Sequence, residues 1–77
     1  MNDEYLIKDL SEASFLLVKG QIINSIQKIG QVCWFSFNDK QLCEKLSKEF
    51  WFGSPLIDAK KYSEAIKTLK NRIFSYQ

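Results

Sequence analysis

The stretch Gln31 to Asp39, QVCWFSFND, limits what this chain can fold into more than any other part of it. It holds the densest apolar run and ends on a helix-start signal, and we read it as the central strand of a sheet. Val32, Trp34 and Ser36 point to one side of such a strand, and Cys33, Phe35 and Phe37 to the other. Both sets are largely apolar, whereas a strand with one wet face should alternate cleanly between apolar and polar residues. The expectation is a sheet with some cover on each face.

The other segments read as elements arranged about this strand. Glu4 to Lys8, EYLIK, is short and apolar and suits a first strand. Asp9 stands three residues before Glu12, the capping-box spacing, which predicts a helix from about Leu10. Gly20 closes it through the left-handed conformation common at helix ends, with Lys19 near the negative end of the dipole. Leu10, Ala13 and Leu17, flanked by Ser14, Phe15 and Leu16, cover most of its circumference, so this helix should be sandwiched. Gln21 to Lys28, followed by Gly30, predicts an antiparallel hairpin with the central strand, its turn near Lys28 to Gly30. The polar residues Asn24, Ser25 and Gln27 place the outer arm of that hairpin at a sheet edge.

Asn38, with Gln41 three residues on, is read as the cap of a helix from about Asp39 to Phe52, whose stripe is Leu42, Leu46 and Phe50 with Cys43 beside them. Gly53, Ser54 and Pro55 break it. Asp58 caps the last helix, which runs to about Ser75 and carries the strongest periodic signal: Tyr62, Ala65, Ile66, Leu69, Ile73 and Tyr76 on one stripe. The fold expected over residues 1–77 is a single α+β domain in the order β-α-β-β-α-α, with a short antiparallel sheet packed by helices. Cys33, Phe35 and Phe37 should meet Leu42, Leu46, Tyr62, Ile66 and Leu69.

These signals together carry a resemblance. Tyr5-x-x-Lys8-Asp9-Leu10-x-x-Ala13-x-x-Leu16, then Lys19-Gly20, the strand Phe35-Ser36-Phe37, and Ile57-Asp58-Ala59-Lys60-Lys61-Tyr62 with Ala65-Ile66-x-x-Leu69-Lys70-x-Arg72-Ile73 resemble a family of small uncharacterised domains met in bacterial and phage genomes. The likeness spans nearly the whole chain, and its pieces are caps, a glycine stop and apolar stripes. That family often has Thr where this chain has Lys8, and the hairpin turn here is short. The resemblance implies a fold and a phage or mobile-element setting, and no activity.

Chemistry is sparse. The chain has no histidine, and Cys33 and Cys43 lack the close spacing of zinc and redox sites. They are expected to be buried free thiols in a reducing, cytoplasmic setting. No nucleophile elbow or phosphate-cradling glycine loop is present, and caps account for Asp9, Asp39 and Asp58. No catalytic, cofactor-binding or metal-ligating residue is predicted, and no small-molecule substrate is evident. The start, MNDEYLIKDL, lacks a basic region followed by a long apolar segment, and no apolar run reaches the ~20 residues that cross a bilayer, so a soluble, unexported protein is expected.

Binding remains. Six Phe, three Tyr and two Trp are more rings than a domain of 77 residues can bury, which points to a protein interface or a homodimer contact through Trp34, Trp51, Phe52 and Phe74. The alternative is a nucleic-acid-binding regulator, with Lys60, Lys67 and Lys70 beside Phe74 on the last helix to meet phosphates and stack a base. A net charge of +2 permits this without requiring it.

Overall fold

The computed structural model describes residues 4–75. The elements are β1 (Tyr5–Ile7), α1 (Leu10–Val18), β2 (Ile23–Ile29), β3 (Val32–Phe37), α2 (Lys40–Phe52) and α3 (Ala59–Ser75), the α+β order expected from the sequence. Within the antiparallel sheet the order is β1-β3-β2, so the QVCWFSF segment supplies the central strand and β2 lies at an edge. The last stripe position, Tyr76, lies outside the described residues.

Local chemistry fixes the joints. Asp9 accepts from the Glu12 backbone N–H at 2.9 Å and so caps α1. At the other end Gly20, with φ +90°, donates its N–H to Leu17, and Gln21 donates to Leu16, the paired bonds of a Schellman closure. The β2–β3 loop is the pair Gly30–Gln31, between the partners Ile29 and Val32. Gly30 takes φ +64°, as the first position of a type II′ hairpin turn demands. One feature of β2 escapes sequence periodicity. The register jumps between Ile23, opposite Phe37, and Ser25, opposite Ser36, leaving Asn24 as a bulge. That extra residue lets Ile23 and Ile26, three apart, both face the core. The cap of α2 is Asp39 rather than Asn38: its carboxylate accepts from Leu42 N–H at 3.2 Å.

All three helices contribute to one core on the face of Phe35 and Phe37. Those rings, with their cross-strand neighbours Ile7 and Ile26, cluster with Ala13, Phe15 and Leu16 of α1, Cys43 of α2 and Leu69 of α3. α1 packs against both α2 and α3, and its run Glu12 to Leu16 is buried, as a helix apolar nearly all round requires. The smallest dimension of the molecule is 18 Å, which leaves room for one layer of helices about 10 Å across beside the sheet.

The core departs from expectation at Ile66, which is half-buried and not packed against the cluster. The outer face of the sheet is covered only in part: Ser36 is fully buried there and Trp34 half-buried outside the packed core, while Leu6, Ile29 and Val32 are exposed. The physical reason is that the outer neighbours of Trp34 and Ser36 are Gln27 and Ser25, so this face is mixed in polarity although β3 alone is not. Leu42 is also not a core residue. It is 40% exposed, because α2 is rolled so that Cys43 and Ser47 become its buried positions, with Leu46 and Phe50 alongside.

Candidate functional site

Glu12 is a carboxylate on a helix otherwise built for burial, and it is only 7% exposed. The capping-box spacing assigned its side chain to the backbone at Asp9, yet the structure turns it toward β1 and α2. Tyr5 Oη donates to its Oε2 at 3.0 Å, Ser47 Oγ donates to the same oxygen, and Trp51 Nε1 donates to Oε1 at 3.2 Å. Three uncharged donors from two other elements thus converge on one buried anion, which is what makes its burial tolerable. The roll of α2 follows from the same arrangement, since Ser47 must face α1 to reach Glu12.

Beside this knot lies a cleft of about 210 Å³, lined by Tyr5, Glu44, Ser47, Lys48, Trp51 and Phe52. Tyr5 and Trp51 form part of its wall with their polar groups held by Glu12. Trp51 also meets Phe50 edge-on, with centroids 4.9 Å apart, and Phe50 lies 5.1 Å from Phe15 in the core. The indole is therefore set by a ring contact on one side and a hydrogen bond on the other. Lys19 completes this row with its ammonium 5.5 Å from the Phe15 centroid.

Burial and the negative groups nearby perturb two titrating side chains. Burial chiefly raises the Tyr5 phenol above its ordinary value, and the charge of Glu12, the hydrogen bond to it and the charge of Glu44 add to the rise. The Cys43 thiol is pushed up to about 11, first by burial and then by Asp39 and Glu12. Its S–H points to Gln21 Oε1 at 3.6 Å and the Asn38 carbonyl at 3.7 Å. Cys43 is buried and free; Cys33 is free but only half-buried, short of the burial expected for it. Among the described residues no cluster of three or more Cys, Asp or Glu side chains is placed to hold a metal, and no helix is long and apolar enough to cross a membrane.

The structure disperses the four rings singled out in the sequence. Trp51 and Phe52, 53% and 88% exposed, meet at the cleft. Trp34 lies on the outer sheet face, and Phe74, also exposed, stands near the end of α3. Lys60, Lys67 and Lys70 are all exposed on α3. At roughly 100° per residue they fall with Phe74 inside an arc of about 80°, opposite the stripe that buries Ala65 and Leu69.

Sequence reasoning missed Tyr5, Glu12, Glu44 and Ser47 as members of one site. The available signal was Glu12 itself: an acid within a helix apolar on nearly every side must find buried donors or force the helix to expose it. The identity of those donors depends on how α2 is rolled, which no local pattern gives. No family model matches this chain, and neither a curated protein nor a solved structure matches it.

Proposed function

We propose that this chain is a small, non-enzymatic protein-interaction module that holds a partner segment against the rings around the β1–α2 cleft. The observation that carries this reading is the pairing of exposed apolar surface with fixed geometry. Trp51 and Phe52 are exposed beside the cleft, while Glu12 holds the polar groups of Tyr5 and Trp51 in place. Aromatic anchors of this kind contribute much of the energy at protein interfaces, and walls ordered before binding lower its entropic cost.

The test is selection of binding peptides from a random display library against the full chain, followed by affinity measurement on Trp51→Ala and Phe52→Ala. Peptides that lose at least about tenfold in affinity on either substitution support the reading, since an aromatic anchor is worth about 2 kcal/mol or more. Binders indifferent to both rings, or no binders at all, refute it. Homodimerisation through the same rings is the self-associating form, and sedimentation across a concentration series reads it directly.

A second reading, nucleic-acid binding, is favoured by one observation: Lys60, Lys67, Lys70 and Phe74 share the solvent face of α3. Binding there should fall steeply with salt, and Lys67→Ala with Lys70→Ala should reduce that slope by about one unit for each phosphate no longer neutralised. Absence of a mobility shift with single- or double-stranded DNA or RNA at low salt removes this reading.

A further inference from the structure

The distribution of donors and acceptors around the β1–α2 cleft narrows what it can hold, an inference that rests on the interaction reading above. Tyr5, Ser47 and Trp51 each carry one polar hydrogen, and each directs it to Glu12. What these residues have left to offer a ligand is ring surface and oxygen lone pairs. Glu44 adds an exposed carboxylate to the wall, and Glu12 sets a second negative charge immediately behind it. Both charges are felt at the Tyr5 phenol. An anion would meet one cationic wall residue, Lys48, but also the Glu44 carboxylate in the wall and the charge of buried Glu12 behind it. A cation would meet three aromatic residues, Tyr5, Trp51 and Phe52, and the Glu44 carboxylate, with the charge of Glu12 behind the wall. The volume, about 210 Å³, is below the ~300–1,000 Å³ of clefts that take drug-sized ligands, and suits the end of a single side chain.

We infer that the cleft receives the ammonium end of a lysine side chain, methylated or free, presented by a partner polypeptide. Tyr5, Trp51 and Phe52 supply the π surface, and Glu44 and Glu12 the opposing charge. Lys48, four residues after Glu44 on α2, is a competing internal cation and sets how tightly an incoming one is held.

Titration of the full chain, followed through the Trp51 indole N–H resonance, tests this with Nα-acetyl-lysine N-methylamide and its trimethyl form. Probes of other chemistry are the arginine and norleucine analogues and inorganic phosphate. The expected result is saturable binding of one or both lysine forms, stronger than arginine or norleucine, and no response to phosphate. Glu44→Gln and, followed by amide resonances, Trp51→Leu should each weaken it by about threefold or more, and Lys48→Met should strengthen it. Equal binding of norleucine, preference for arginine, a phosphate response at the same resonances, or no saturable shift up to about 0.1 M lysine probe overturns the inference. Circular dichroism of each variant establishes that it is folded; these are surface positions, with Trp51 itself 53% exposed. Failure here is separable from failure of the broader reading. If display-selected peptides need Trp51 and Phe52 but carry no lysine, the lysine inference falls alone; if no selected peptide needs those rings, both fall.

Discussion

Removing the Glu12 carboxylate should expose how much of the fold is tied through one buried anion. In Glu12→Ala, Tyr5, Ser47 and Trp51 lose their acceptor together. Hydrogen bonds to a charged group contribute ~1.5–3 kcal/mol each, so a simple sum would reach about 9 kcal/mol. Two effects reduce it. Tyr5 and Trp51 border an open cleft, where water can replace the carboxylate, and only Ser47, 5% exposed, is left with a hydroxyl that solvent hardly reaches. Removing a buried charge also returns part of its desolvation cost, a matter of several kcal/mol. The net loss should then be ~2–4 kcal/mol, which lowers Tm by roughly 10–25 °C in a domain of this size. That is a large part of the ~5–15 kcal/mol typical of small proteins.

Glu12→Gln separates the acceptor from the shape. Oε2 takes both Tyr5 and Ser47 while Oε1 takes Trp51, so an amide can keep the first two bonds by placing its oxygen at Oε2. Its NH2 group then faces the Trp51 N–H, donor against donor, and the cost should be ~1–2 kcal/mol, less than that of alanine. Urea denaturation followed by far-ultraviolet circular dichroism measures both. A Glu12→Ala protein within about 0.5 kcal/mol of the parent, or a glutamine variant as unstable as the alanine one, refutes the reasoning.

Three further perturbations test other parts of the structure. Phe35→Ala, at a ring only 1% exposed, should cost ~3–5 kcal/mol, whereas Trp34→Ala on the outer face should cost less than half as much; equal losses in urea denaturation would contradict a sheet packed by helices on one side only. Gly53→Ala puts a methyl group 2.7 Å from the Glu49 carbonyl oxygen, which already accepts the Gly53 N–H, and the backbone shift it forces should cost ~1–3 kcal/mol; a Tm unchanged within a degree would show that the end of α2 yields freely. Cys43 and Tyr5 both hold their protons more tightly when folded, so the stability this represents is present below pH 9 and is lost as pH rises, through about 11 for Cys43. Stability measured from pH 8 to 11 should therefore decline, and thiol reagents should label half-buried Cys33 well before Cys43 in native protein; the reverse order of labelling would contradict the assigned burial.

Local signals decided much of this protein. Asp9, Asp39 and Asp58 cap their helices by accepting backbone N–H groups a few residues on, and Gly20 and Gly30 take the positive φ that ends α1 and turns the hairpin. The dense apolar run of Gln31 to Phe37 marked the central strand, and the stripe through Tyr62, Ala65, Leu69 and Ile73 marked the buried side of α3. Such features are legible because they depend on residues within one or two turns of each other. The roll of α2, the bulge at Asn24 and the partly open outer face of the sheet are of another kind. Leu42 and Cys43 both fit a buried helix position, and only the docking of Ser47 and Trp51 on Glu12 turns Cys43 inward and leaves Leu42 outside. Trp34 likewise reads as core within its own strand, yet its exposure is set by Gln27 across the ladder and by all three helices joining the core on the other face. The candidate site depends on these same choices, because Tyr5, Glu12 and Trp51 lie on three different elements. Tertiary packing alone brings their polar groups within hydrogen-bonding distance and leaves the Trp51 ring at the surface.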